Sequence, residues 1–203
     1  MEQLSPQKIA IFEGIFSLTR QGRDLQTVKV QEIADAAGMG KSSLYEHFKS
    51  KEEILRAAAE YCLSRELDQI HEIIARADDF TGMLDGSLDY LLEVMTQRVE
   101  LYQAIGQSRA GTDKGECGRL FMEANGEIWK ITQAGVACGK RDGIISSDLP
   151  DRECIYIILT TLLGFAMGCF AQNKLPDTDP EVFREMCRAT RAHLLRSLAG
   201  PGT

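Results

Sequence analysis

Lys41, Ser42, Ser43, Tyr45, His47, Lys49 and Lys51 crowd cations, hydroxyls and an imidazole into one short stretch, and Lys29 stands a little upstream. Groups of this kind donate hydrogen bonds to phosphate oxygens and base edges, so the chemistry they offer is recognition of nucleic acid. Catalysis has little support elsewhere. His71 and His193 stand alone, without cysteines or paired carboxylates at metal-ligand spacing. The six cysteines (62, 117, 138, 154, 169 and 187) form no Cys-x-x-Cys pair and read as reduced, mostly buried thiols of a cytoplasmic protein. A redox-sensing thiol needs exposure and a depressed pKa, and only Cys138, ahead of Lys140 and Arg141, has basic neighbours. No glycine-rich phosphate loop follows a strand and no Gly-x-Ser-x-Gly occurs, so no enzyme, cofactor or metal site is expected.

Two short helices must hold the basic cluster. Val30, Ile33, Ala34 and Ala37 recur at i, i+3, i+4 and i+7, the apolar face of a two-turn helix that needs a neighbour to cover it. Gly38 supplies the left-handed stop, and Gly40 lets a second helix begin almost at once. In that second helix, Lys41 to His47, Leu44 points inward with Phe48 just beyond it, and the polar side chains are left for a partner. This is the pattern of a helix-turn-helix, whose second helix enters the DNA major groove.

These residues resemble the bacterial tetracycline-repressor (TetR) family of transcription regulators over residues 8 to 56. The resemblance is carried by Ile33-Ala34, Ala37-Gly38, Tyr45-Glu46-His47-Phe48 and Ser50-Lys51-Glu52. It implies an all-α chain, with an N-terminal three-helix helix-turn-helix DNA-binding domain over 1–50 and a C-terminal helical ligand-binding and dimerisation domain over 51–203. The residues matched to DNA contacts are Lys29, Gly40, Lys41, Ser42, Ser43, Tyr45, His47, Lys49 and Lys51. Three departures matter. Lys29 stands where the family places a capping Ser or Thr ahead of Glu32, and losing a cap costs roughly 0.5–2 kcal/mol; either Thr27 caps from further out or Lys29 contributes a phosphate contact. Gly40 and Ser42-Ser43 replace the usual residues of the recognition helix, so an operator sequence does not transfer. The connection from Phe16 to Ile33 is longer than usual, which places Arg20, Arg23 and Asp24 in an extended loop.

At 203 residues the chain holds one large or two small domains, and 44% hydrophobic with 26% charged residues is ordinary globular composition. The net charge of -7 is unevenly spread. Residues 1–51 carry seven Lys or Arg against six Asp or Glu, net +1, and the rest carry 16 against 24, net -8. That asymmetry suits a near-neutral DNA module joined to an acidic domain that does not touch DNA. No charged region followed by an apolar run opens the chain, so no secretory signal is expected. Ile155 to Ala171 is the one stretch that approaches a membrane span, but it lacks anchors at both ends and reads as a fully buried core or interface helix.

Beyond the motif the periodicity predicts helices throughout. Ser50 and Glu53 form a capping box for a long helix to about Arg76. Asp78 to Gly82 reads as a turn, Met83 to Gly106 as a helix, Arg109 to Gly118 as a flexible connection or short helix, and Arg119 to Cys138 as a helix. Pro150 and Asp179-Pro180 open the last two, ending near Gln172 and Leu198. By the resemblance those last two helices dimerise, and Gly164 and Gly168 leave a groove where another helix can approach; the alternative is that both glycines pack within one chain. The resemblance also implies a pocket for an apolar or aromatic small-molecule effector, with Met95, Tyr102, Phe121, Met122, Trp129 and Phe165 as candidate lining, alongside Met167; each of these is also an ordinary core residue by type. The expectation is a cytoplasmic, homodimeric, ligand-responsive transcription regulator, most simply a repressor released from a palindromic operator by a small molecule. The rival is a helical interaction adaptor without DNA, which would want apolar groups on the Lys41–Lys51 face. The sequence leaves open the effector, the operator, the regulated genes and the sign of regulation.

Overall fold

The computed structural model describes residues 4–97, 114–172 and 179–200, with the backbone alone at 97 and 114–125. Among them are eight α-helices and no strand: α1 (Pro6–Arg20), α2 (Val30–Ala36), α3 (Lys41–His47), α4 (Lys51–Arg76), α5 (Phe80–Gln97), α6 (Lys114–Arg141), α7 (Asp151–Gln172) and α8 (Pro180–Leu198). The expected all-α class holds among these residues. Two compact units divide the chain, Met1–Arg65 with Val99–Met122, and Glu66–Arg98 with Glu123–Thr203. The division falls inside α4.

The first unit is built on α1. Ser5 caps it, its Oγ accepting the Lys8 N–H, with Pro6 preset for the first turn. Ile11, Phe12, Ile15 and Phe16 form its buried face and pack with Leu25, Val28, Ile33, Ala34, Leu44, Phe48, Ile54 and Ala58. Tyr61 from α4 closes the cluster against Phe12, ring centroids 5.1 Å apart. Gly14 lets α1 approach the end of α2 closely, since an added Cβ would lie 2.9 Å from the Ala37 nitrogen. Arg20 is the last residue of α1 and not part of the loop, which begins at Gln21.

The second unit packs α5, α7 and α8 around Leu84, Leu88, Ile155, Ile158, Phe165, Cys169, Phe183, Leu194 and Leu198. Its ends are tied by polar caps. Asp142 Oδ2 accepts the Phe80 N–H at the start of α5 at 2.9 Å, and the Leu198 carbonyl accepts the Ser146 N–H at 2.8 Å. Asp79 also caps α5 through the Gly82 N–H, so this helix starts at Phe80 instead of Met83, and what reads as a turn is its first turn. The backbone of α6 is helical from Lys114, which takes in the 114–118 part of the expected connection; residues 98–113 lie outside the described set.

Helix α7 is long and apolar enough by length and composition to cross a membrane. It is not fully buried, as its sequence led one to expect. Cys154, Ile155, Ile158, Phe165 and Cys169 are buried, while Tyr156 (67%), Leu163 (64%) and Met167 (56%) are exposed with Thr160 and Gly164 between them. The two glycines separate in role. A Cβ on Gly168 would lie 2.7 Å from Met186 Cε of α8, so that glycine serves packing within the chain; Gly164 faces open space.

Candidate nucleic-acid interface

The helix-turn-helix is set by short-range geometry. Ile33 and Ala34 are fully buried and seat α2 on the first unit's core. Gly38, at φ +69°, turns the chain, and the Met39 N–H bonds back to the Ala34 carbonyl at 3.0 Å, a left-handed cap only glycine adopts without strain. Gly40 is the extended N-cap of α3, and no side chain caps that helix. Leu44 is fully buried and Phe48 nearly so, which fixes the roll of α3 about its axis.

That roll decides what faces out. Lys41, Ser42, Tyr45, Glu46 and Lys49 are exposed, whereas Ser43 and His47 are half-buried. Tyr45 is 46% exposed, and Lys41 Nζ lies 5.9 Å from its ring centroid, a cation–π contact that steadies both side chains at the start of the helix. The structure thus brings Lys41, Ser42, Tyr45 and Lys49 to the surface of one short element, with Gly40 exposed beside them.

Lys29 is the N-cap of α2, with extended backbone. A lysine has no acceptor, so only half of a capping box forms: Glu32 Oε2 accepts the Lys29 N–H at 2.8 Å. Thr27 does not cap; its hydroxyl donates to the Asp24 carbonyl at 3.1 Å. The Lys29 N–H, then the Arg23 guanidinium paired with its other oxygen, hold the Glu32 carboxyl below the usual carboxylate range. Lys51 is half-buried and donates from Nζ to the Gln26 carbonyl at 2.7 Å. Partial burial pushes its ammonium pKa down. At the start of α4, Ser50 Oγ accepts the Glu53 N–H at 3.1 Å while Glu53 reaches one residue past the expected box, to the Lys49 N–H at 2.6 Å. The Arg23–Glu32 and Lys51–Gln26 ties were not read from the sequence, because they join residues 9 and 25 positions apart and no periodicity links them.

The candidate effector residues are dispersed. Met95 is half-buried at the edge of the second core, Phe165 is 4% exposed within it, and Trp129 is 39% exposed on α6. Tyr102 and the side chains of Phe121 and Met122 lie outside the described residues. A groove of about 340 Å³ runs between α5 and α8, lined by Asp85, Leu88, Asp89, Leu92, Arg184, Cys187, Arg188 and Arg191. None of the candidates lines it. Burial raises the pKa of the Cys138, Cys154, Cys169 and Cys187 thiols, Cys169 to about 11. At Cys138 the Arg141 guanidinium lies 2.9 Å from Sγ, but burial and the Asp142 carboxylate outweigh it. No group of three His, Cys, Asp or Glu among the described residues is placed to hold a metal.

Residues 21–58, the segment that holds this motif, match the family model of bacterial regulatory proteins of the tetR family. Over that segment the chain is similar to that family. The HTH-type transcriptional repressor KstR2 of Mycolicibacterium smegmatis is 29% identical over 139 residues, 66% of this chain and 65% of that protein, so the match spans just under two-thirds of the relative's length. Among solved structures, a TetR transcription regulator from Haloarcula marismortui superposes with a TM-score of 0.74 at 20% identity, covering 96% of this chain and 99% of the other. The regulator FadR from Bacillus subtilis, solved in complex with stearoyl-CoA, gives 0.65 at 16% identity over 96% and 99%. These two likenesses establish a shared fold.

Proposed function

We propose that this protein is a cytoplasmic, homodimeric transcriptional repressor that a small apolar effector releases from its operator. The observation that carries the reading is α3, a helix whose inner face is fixed by Leu44 and whose outer face presents Lys41, Ser42 and Tyr45, with Lys49 just beyond. An adaptor groove would want apolar groups there. In the proposed complex α3 enters the major groove, Lys41, Ser42 and Ser43 reach base edges or nearby phosphates, and Tyr45, His47, Lys49, Lys51 and Lys29 hold the backbone. Gly40 gives the close approach. Two copies would read half-sites about 34–36 Å apart on a pseudo-palindrome.

The dimer is supported by the exposed stripe of α7. Tyr156, Thr160, Leu163, Gly164 and Met167 recur at helical spacing opposite a buried face, and such an apolar stripe in a soluble chain calls for a partner. The repressor role is carried over from KstR2, and an effector with an apolar part is supported by the acyl chain of the stearoyl-CoA in the FadR structure. Release would follow if the effector binds the non-DNA spacing of the two heads more tightly than the DNA-bound spacing. A crosslink that fixes the spacing should then abolish the response.

The deciding experiment is selection of random duplex DNA on the purified protein, with Tyr45→Ala as control. A two-fold symmetric site lost in the variant supports the regulator and supplies the probe for effector screening. No enrichment across a range of salt concentrations favours the adaptor.

A further inference from the structure

We propose that Arg23, positioned by Glu32, contacts a DNA phosphate, and that the 21–29 connection forms with Lys29 and Lys51 one preformed ridge that grips the DNA backbone. The inference rests on the DNA-binding reading above and extends the interface beyond the helix-turn-helix itself.

The first helix of such a motif crosses the DNA backbone while the second enters the groove, so phosphates are met near the start of α2. At that end one carboxylate is shared: Glu32 Oε2 holds the Lys29 N–H at 2.8 Å and Oε1 pairs with Arg23 Nη2. The guanidinium is thereby fixed beside exposed Lys29. Arginine carries five donors in a planar fork, and the Glu32 contact engages one nitrogen, leaving the rest for a phosphate. Arg23 remains half exposed, at 49% for its side chain.

The connection is held by its own burial and hydrogen bonds. Leu25 and Val28 are pegged into the core at 1% exposure each. Asp24 Oδ1 accepts the Gln26 N–H at 2.8 Å, and the Asp24 carbonyl accepts the Thr27 and Val28 N–H groups, both at 3.0 Å. Lys51 pins the Gln26 carbonyl from the start of α4, which leaves its ammonium with spare donors on the same ridge. Ordering a long side chain at an interface costs free energy, and Glu32 has already ordered this one.

Charge alone gives the opposite expectation for Glu32. A carboxylate near phosphates repels them, so its removal should tighten binding; if it positions Arg23, its removal should weaken binding. The full chain and an operator from the duplex selection would be used to measure affinity over a series of salt concentrations for Arg23→Gln, Arg23→Lys, Glu32→Gln and the Arg23→Gln/Glu32→Gln double variant. Gln at position 32 still accepts the Lys29 N–H, as in capping boxes, and circular dichroism checks the fold.

Arg23→Gln should weaken binding roughly tenfold on every sequence and reduce the slope of log affinity against log salt by about two, one phosphate contact being lost from each subunit of the proposed dimer. Glu32→Gln should weaken it as well, with the double variant no weaker than Arg23→Gln alone, and Arg23→Lys should recover the slope but only part of the affinity. Tighter binding by Glu32→Gln, or an unchanged slope in Arg23→Gln, would overturn the proposal and leave the DNA-binding reading standing. Failure of the native chain to enrich any duplex would sink both, and is told apart because the native protein itself fails.

Discussion

Replacing Gly14 by alanine sets two effects of opposite sign against each other. In a helix interior the change is favourable by about 0.5–1 kcal/mol, because alanine loses less backbone entropy. Here the new Cβ would lie 2.9 Å from the Ala37 nitrogen, 3.0 Å from the Ala36 carbonyl carbon and 3.2 Å from Ala37 Cα. All three are backbone atoms, so relief requires α1 or the end of α2 to retreat by several tenths of an ångström, and overpacking of this kind costs about 1–3 kcal/mol. The clash outweighs the helix gain over nearly all of these ranges, and Gly14→Ala should destabilise the first unit by up to about 2.5 kcal/mol, the overpacking cost less the helix gain. Gly135 on α6 is the control, since nothing lies within 4 Å of its added Cβ; there the same substitution should stabilise by about 0.5–1 kcal/mol. Urea unfolding followed by circular dichroism reads both units, whereas the single tryptophan, Trp129, belongs to the second. Gly14→Ala should lower the dichroism midpoint more than the fluorescence midpoint, and it should weaken DNA binding, because Ala37 leads into the turn that aims α3. A raised midpoint for Gly14→Ala, matching Gly135→Ala, would refute the close-approach argument.

Tyr45→Ala should weaken binding similarly on all duplexes, while Ser43→Ala should change the preference between operators; band-shift titrations on several sites check this, and equal effects everywhere would contradict the division of roles. Leu163→Glu with Met167→Glu should convert a dimer to monomer in analytical ultracentrifugation, and an unchanged mass would show that the exposed face of α7 is not the interface. The folded-state pKa of Cys169 is raised from 9.0 to about 11, so its contribution to stability is present below about pH 9 and is lost as pH rises through about 11. Cys169→Ser should therefore remove part of the alkaline loss of stability seen in urea titrations, and an identical alkaline profile would argue against it.

The sequence made the head legible because its information is local. The spacing of Val30, Ile33, Ala34 and Ala37, the stop at Gly38 and the inward Leu44 each act within one or two turns, and the structure places the two helices where that spacing predicts. Helix ends governed by side-chain caps next to them, such as Ser50 and Asp179, were equally readable. The start of α5 has a local cap as well, Asp79 to the Gly82 N–H, but Asp78, Asp79 and Gly82 are also turn residues by type, and the second cap, Asp142, comes from 62 residues away. Gly164 and Gly168 look equivalent in the chain, yet Met186 meets one of them alone, because facing is set by where α8 packs. The candidate effector residues rest on type alone, and type does not separate buried Phe165 from exposed Trp129.

Helix α4 carries the remaining step of the proposed release. Its neighbouring residues Arg65 and Glu66 belong to different units, and each is tied within its own: Arg65 pairs with Glu13 of α1 at 2.9 Å, and Glu66 accepts the Tyr90 hydroxyl of α5. A helix is stiff along its axis because each turn is bonded to the next. Release as proposed requires only that the effector favour one arrangement of the second unit over another.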